Sequence, residues 1–478
     1  MDEAKIAAFK GKVVRSSIAL TGRTFLLQLI SFGSTFVLTI LLSPRVFGVF
    51  FVVSAVISFL NYFSDIGLAA ALVQKKEDPD RTELVSVFTI QEFIVLLIIF
   101  AAFLLTPQIS RFYSLSADGV FLLKALLVSF FLASLKTIPS ILLERNLEFS
   151  RLVLPQILEN IAFYAVAITL AVLNFEVASF AWAAIARGII GTVAIYIVAP
   201  WMPGIGFSYY SVKKLISFGI PFQTNSLLAL IKDELLTLYL GKILPFSYIG
   251  LLGWAKKWAE VPLRLIMDSV IKVTFPAFSR IQNNKTLLTA ALNRTVFYLA
   301  LFILPVSFTL IIYIKPLIYL IPKYQKWQPA LFAFYLFAVS AIFSAFSSPV
   351  VNALNALGKI KKTLGLMVGW TILTWILVPF LTRLVGLNGW PVSSLIISLT
   401  VFIPVAMLKR FVSFNFLDNF LKPLLYVILM SFFSLLTLSY ATDLLNLAVL
   451  IFISLLIYSL FIWHFHQKEI KPLITALR

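Results

Sequence analysis

The sequence predicts an all-α polytopic membrane protein of about fourteen transmembrane helices, and three observations carry that class. Of 478 residues, 61% are hydrophobic and 12% charged, with a mean hydropathy of +1.00; a soluble domain is nearer half apolar and a quarter charged. Apolar runs of about 20 residues, the length that crosses a bilayer core, recur from end to end. The connections between runs are alternately rich and poor in Lys and Arg. Closed β-barrels show short alternating segments instead of long apolar runs, so the spans are helices.

The runs fall near 16–41, 46–73, 83–105, 119–143, 152–173, 178–200 and 214–241, then 247–271, 295–314, 329–356, 363–382, 388–408, 423–440 and 444–464. The opening MDEAKIAAFKGKVVRSS reads as a charged lead-in, without the short apolar core and small-residue cleavage site of a signal peptide. With that end inside, fourteen spans place 23 Lys and Arg in inner segments and 7 in outer ones. Basic residues accumulate on the cytoplasmic side, so the asymmetry predicts a cytoplasmic-membrane protein with both termini in the cytoplasm. No connection is long enough for a soluble domain, and the activity is expected within the bilayer.

Composition also excludes several classes. There is no cysteine, so disulfides, Cys-ligated zinc and thiol catalysis are ruled out. Two histidines, His464 and His466, are too few for a metal cluster. The net charge of +19 reports membrane topology here, not a nucleic-acid partner. No Gly-rich phosphate loop or catalytic triad is present, and the short outer loops carry only isolated acids (Asp118, Glu176, Asp443).

A faint repeat joins LLSPRVFGVF (41–50) to ILPFSYIGLL (243–252), with Gly48 and Gly250 202 residues apart. That interval is close to six helices. Two parallel six-helix halves and an extra pair describe it economically, and transporters often carry such repeats.

LLSPRVFGVFFVVSAVISFLNYFSDIGLAAALVQKKE (41–77), LLERNLEFSRLVLPQILEN (142–160), FGIPFQTNSLL (218–228) and FPAFSRIQ (275–282) together resemble the polysaccharide transporter family, the Wzx-type O-antigen and exopolysaccharide flippases. The resemblance covers most of the first ten helices. It implies the multidrug/oligosaccharidyl-lipid/polysaccharide exporter fold: a lobe at 1–210, a lobe at 211–412, a central cavity between them, and an extra helix pair at 413–478. It also implies a non-enzymatic flippase that moves polyprenyl-diphosphate-linked oligosaccharide across the membrane by alternating access. The alternatives are a cation-coupled drug exporter of the same superfamily and a membrane-embedded polysaccharide polymerase. Membrane lipids and polysaccharide-assembly proteins are the other expected partners.

The stretch KKWAEVPLRLIMDSVIK (256–272) sets charges of alternating sign four residues apart: Lys256, Glu260, Arg264, Asp268, Lys272. On a helix these form one slowly winding stripe of oppositely charged neighbours. Lys256 lies ten residues from Phe246, about 15 Å at 1.5 Å per residue, near the midplane. A charge there costs at least about 2.5 kcal/mol, so the stripe faces a hydrated chamber or forms an ion-pair seam against another helix. Charges at matching depth are Arg23, Asp65, Glu92, Lys136, Glu159 and Arg187, with Lys232, Asp233 and Glu234 on the seventh helix. A polar chamber lined by helices 1, 2, 7 and 8 is expected.

A diphosphate needs cationic donors, and Arg offers a planar fork where Lys offers a point charge. Arg23, Lys256, Lys257 and Arg264 are the substrate-binding candidates; Arg187, Lys232, Glu260 and Asp268 are expected to line the chamber. Asp65, Asp233 and Glu234 are candidates for binding H⁺ or Na⁺ as a coupling ion. No other cofactor is expected.

Overall fold

Each of the fourteen expected runs is helical in its described part. The computed structural model describes residues 26–64, 67–75 and 77–467, without the side chains of 210–211, 214–226, 268–269 and 271–273. Residue contacts gather the chain into two compact units, 1–250 and 251–478. The first holds α1 (Leu26–Leu41), α2 (Pro44–Ser64), α3 (Leu68–Gln74), α4 (Arg81–Tyr113), α5 (Ala117–Ser134), α6 (Thr137–Arg145), α7 (Phe149–Val172), α8 (Val177–Val198) and α9 (Tyr209–Ile243). The division falls within α10 (Phe246–Ala259). The second unit continues with α11 (Val261–Ile281), α12 (Lys285–Leu320), α13 (Leu331–Ala356), α14 (Ile360–Val385), α15 (Gly389–Ser398), α16 (Phe402–Lys409), α17 (Phe416–Leu436) and α18 (Leu444–Phe465). Chain order counts α9 with the second half, but its neighbours are α2, α3 and α4: a methyl on Gly241 would lie 2.5 Å from Val52, and Tyr113 donates to the Leu238 carbonyl at 3.4 Å.

Ten helical stretches among the described residues are long and apolar enough to cross a membrane. One of them, Ile360–Lys409, contains two expected spans folded into a hairpin, where Gly389 packs on the backbone of Thr382. The charged helices α9, α10 and α11 fall outside the ten.

Four expected spans are divided: 388–408 into α15 and α16 across a short 3-10 turn, and three others where the chain shows why. The second ends at Ser64 and resumes as α3 after Gly67, whose φ of 80° lies in the left-handed region that a side chain disfavours. The fourth breaks between α5 and α6 because Pro139 has no N–H for the Leu135 carbonyl four residues back. Two hydroxyls of α8 cover the exposed acceptors: Tyr196 donates to the Leu135 carbonyl at 3.1 Å and Thr192 to that of Leu132 at 2.8 Å. The eighth breaks at Glu260, two residues before Pro262, which removes the partner of the Trp258 carbonyl.

In the first unit the two repeated glycines meet. A methyl on Gly48 would overlap the backbone of Phe246, and one on Gly250 would overlap that of Pro44. Pro44 and Phe246 open α2 and α10, so each glycine, the fifth residue of its helix, sits against the first residue of the other. The connections α3–α4 and α6–α7 of this unit are held by charge. Arg145 donates to the carbonyls of Leu72, Lys75 and Glu77 and pairs with Asp78, while Lys75 pairs with Glu83 at 2.6 Å. Glu83 also closes a capping box with Asp80 at the start of α4.

In the second unit α12 is the central element. Leu288, Leu292, Val296, Ala300 and Leu304, one i, i+4 stripe, are fully buried. The C-terminal helices dock on it through polar contacts. Asn293 Oδ1 accepts from the amides of Asn415 and the Asn419 side chain, and Ser454 Oγ meets Tyr313 at 3.0 Å and Ser434 at 2.8 Å. Pro305 frees the Leu301 carbonyl, and Tyr458 donates to it at 2.8 Å. Tyr458→Phe leaves that acceptor bare in an apolar layer, so a loss of about 1–3 kcal/mol is expected. Chemical melting of the purified protein measures it; an unchanged midpoint removes Tyr458 as the cap.

Candidate functional site

Two charged clusters, one in each unit, are built around a single glutamate. In the second unit Glu260 sits at the hitch between α10 and α11, and both its helical neighbours reach it. Arg264 Nη2 lies 2.9 Å from Glu260 Oε2, and Lys256 Nζ lies 3.9 Å from Oε1. The four-residue spacing offers Arg264 two acids, Glu260 and Asp268; it reaches Glu260, and the side chain of Asp268 lies outside the described residues. Lys256 Nζ also stands 4.8 Å from the centre of the Trp390 ring on α15, a cation–π contact. Lys256 thus lies between Glu260 and a ring of α15, and Arg264 is half exposed. Lys257 beside them is half-buried. With four Lys or Arg and two acids over 256–272, the stretch is positive.

The second half of α10 is fixed independently of its charges. Trp254 stacks on Trp327, with centroids 5.4 Å apart and planes at 13°, and its indole N–H donates to Tyr324 at 3.0 Å. All three rings are buried. The ladder thus begins two residues after a side chain anchored in its own unit.

In the first unit Glu159 of α7 is held by Lys136, in the turn between α5 and α6, and by Arg187 of α8 at 3.8 Å. Gly191 on α8 makes room for the pair: a methyl there would meet both the Glu159 carboxylate and the Lys136 ammonium. Arg187, 45% exposed, leans over Phe163 at 6.0 Å. Glu92 of α4 is buried nearby in the chain's fourth-span break, accepting from Ser134 at 2.9 Å. Glu159 thus has two cationic partners drawn from different elements.

The remaining candidates are spread out. Lys232, Asp233 and Glu234 are consecutive on α9, so at about 100° per residue they diverge; Asp233 is exposed and the other two are half-buried. Arg23 and Asp65 lie outside the described residues. Sequence reasoning missed Trp390 and Gly191. Neither has a local signal, since each matters only through a contact with a distant segment.

The fold is that of a multi-pass α-helical membrane protein, and solved transporters share it. A solved structure of the lipid II flippase MurJ in an inward closed conformation superposes over 96% of this chain and 100% of that one, with a TM-score of 0.74 and 16% identity. An inward-facing multidrug resistance transporter of the MATE family superposes with a TM-score of 0.60 and 15% identity, over 84% of this chain and 98% of that one.

The chain belongs to the polysaccharide biosynthesis protein family, whose profile matches residues 37–332. Among its relatives, an uncharacterized membrane protein in the cps region of Klebsiella pneumoniae is 22% identical over 368 residues, covering 74% of this chain and 73% of that one. The succinoglycan biosynthesis transport protein ExoT of Rhizobium meliloti is 23% identical over 285 residues (59% and 57%). The lipopolysaccharide biosynthesis protein WzxC of Escherichia coli K12 is 25% identical over 254 residues (52% and 50%).

Proposed function

We propose that this protein is a flippase that carries polyprenyl-diphosphate-linked oligosaccharide across the cytoplasmic membrane for polysaccharide biosynthesis. The observation that carries this reading is the positive excess on α10 and α11, where four Lys or Arg stand against two acids over residues 256–272. A pocket for cationic drugs calls for the opposite sign. The diphosphate is gripped chiefly by Arg264, whose fork matches phosphate oxygens, with Lys256 and Lys257 contributing point charges and Arg23 completing the set. Family membership, the transport role named for ExoT and the lipopolysaccharide biosynthesis role named for WzxC support the same substrate class.

In this reading, lobes at 1–210 and 211–412 rock about a central chamber, with an extra helix pair at 413–478. The sugar and diphosphate cross in water while the lipid tail stays in the bilayer. Both termini are cytoplasmic, on the 23-to-7 distribution of basic residues. Asp65, Asp233 and Glu234 are the acids available for H⁺ or Na⁺ coupling, and proteins of polysaccharide assembly receive the product.

The test is flipping of a labelled lipid-linked oligosaccharide in proteoliposomes, alongside complementation of flippase-null strains. Arg264→Ala is expected to slow flipping about 10- to 100-fold, the value of one or two charge-assisted hydrogen bonds. Arg264→Lys keeps the charge but loses the fork, and recovers only part of the rate. The double variant Arg264→Ala, Glu260→Gln separates binding from ion pairing. Full activity in it would make Arg264 a seam residue and sink its role at the phosphate.

A further inference from the structure

Between Asp268 and Asp418 the chain contains no acidic residue and thirteen Lys or Arg. Protein carboxylates within this stretch cannot neutralise those charges, and at one place the structure gathers them. The turn from α13 to α14 is a Schellman motif: Gly358, with φ of 71°, donates to the Asn355 carbonyl, and Lys359 N–H donates to that of Leu354. Thr363 pins the new helix back to Asn355 at 2.6 Å. Lys359 and Lys362 leave this rigid turn toward one ring, their ammonium groups 4.9 and 4.6 Å from the centre of Phe411. Phe411 in turn packs against the core of the second unit.

Two like charges drawn to one aromatic ring repel each other, and the arrangement is favourable where an anion lies between or beside them. The helix surface below supplies the rest of the ligand. Ile360, Leu364, Met367 and Val368, an i, i+4, i+7, i+8 stripe on α14, are each more than a third exposed. A headgroup phosphate over the lysines would lay its acyl chains along that stripe.

We propose that Lys359, Lys362 and Phe411, with the apolar stripe of α14, form a binding site for an anionic phospholipid of the surrounding membrane. The site lies wholly in the second unit and is independent of the substrate reading. Charge complementarity chooses the occupant: a zwitterionic lipid brings its own cation to a place already holding two.

Native mass spectrometry of the detergent-purified full chain, titrated with phosphatidylglycerol or phosphatidylcholine, tests this. The wild type is expected to retain phosphatidylglycerol in preference. Lys359→Gln with Lys362→Gln should weaken that retention about thirtyfold, from about fivefold per lysine near a headgroup, and the Lys359→Arg, Lys362→Arg pair should keep it. Phe411→Leu leaves the charge unchanged but removes the ring that gathers the lysines, and should weaken retention severalfold. Equal retention of the two lipids by the wild type, or wild-type retention by the double Gln variant, overturns the proposal. So does wild-type retention by Phe411→Leu, which reduces it to a diffuse surface charge. Displacement of phosphatidylglycerol by farnesyl diphosphate at equal concentration would make this a landing site for prenyl diphosphates, and would overturn the phospholipid assignment too.

Discussion

Gly48→Ala is expected to destabilise the protein by about 3 kcal/mol, the upper end of ordinary overpacking. The added methyl meets the carbonyl and Cα of Phe246. Backbone cannot rotate aside as a flexible side chain does, so the start of α10 must move away from α2. Gly250→Ala meets the backbone of Pro44 in the same crossing and should cost about the same. Once the helices have parted for one methyl the second enters opened space, so the double variant should lose clearly less than the sum, by about 0.5–3 kcal/mol. Gly365→Ala is the control: nothing lies within 4 Å of its would-be methyl, and a helix-interior alanine should gain up to about 1 kcal/mol. Urea or SDS melting of the purified proteins reads all four. If Gly48→Ala and Gly365→Ala shift stability alike, the crossing is not close-packed.

Glu159→Gln is the second large effect, with an expected loss of about 3–5 kcal/mol. The Glu159 side chain is 12% exposed and Lys136 20%, so neutralising the acid leaves an ammonium group stranded in poorly hydrated surroundings. Arg187 is 45% exposed and keeps much of its water, so most of the cost comes from Lys136. That division makes a sharper prediction. Adding Lys136→Met to Glu159→Gln should recover more than half of the loss, because an apolar side chain needs no partner. Adding Arg187→Met should recover little. The same melting experiment decides, and equal rescue by both substitutions would contradict the unequal burial.

The number and order of spans are legible in the sequence because run length is a property of consecutive residues, and the bilayer fixes what length is needed. Where spans break is half legible. Pro139 and Pro262 mark lost hydrogen bonds in plain view, but whether a helix kinks or stops depends on what covers the freed carbonyl. For Leu135 that cover is Tyr196, sixty-one residues away. The ladder shows the same limit. Spacing of four correctly brings Lys256 to Glu260, yet it cannot say whether Arg264 turns back to Glu260 or onward to Asp268. Lys136–Glu159 joins elements with no shared periodicity, and Gly191 opposite them looks like any glycine in an apolar helix. Composition speaks for segments; pair contacts between segments need the fold.

The glycine crossing also carries history. Gly48 touches the first residue of α10, and Gly250, 202 residues on, touches the first residue of α2. Residue i meets j while the equivalent of j meets the equivalent of i, which is the signature of an isologous interface. A half-length chain bearing one such glycine would make this contact with a second copy of itself, about a two-fold axis. On that account the crossing is a dimer interface preserved after gene duplication and fusion. The two glycines would then be one position seen twice, each leaving the other helix's first residue the room that a methyl would take.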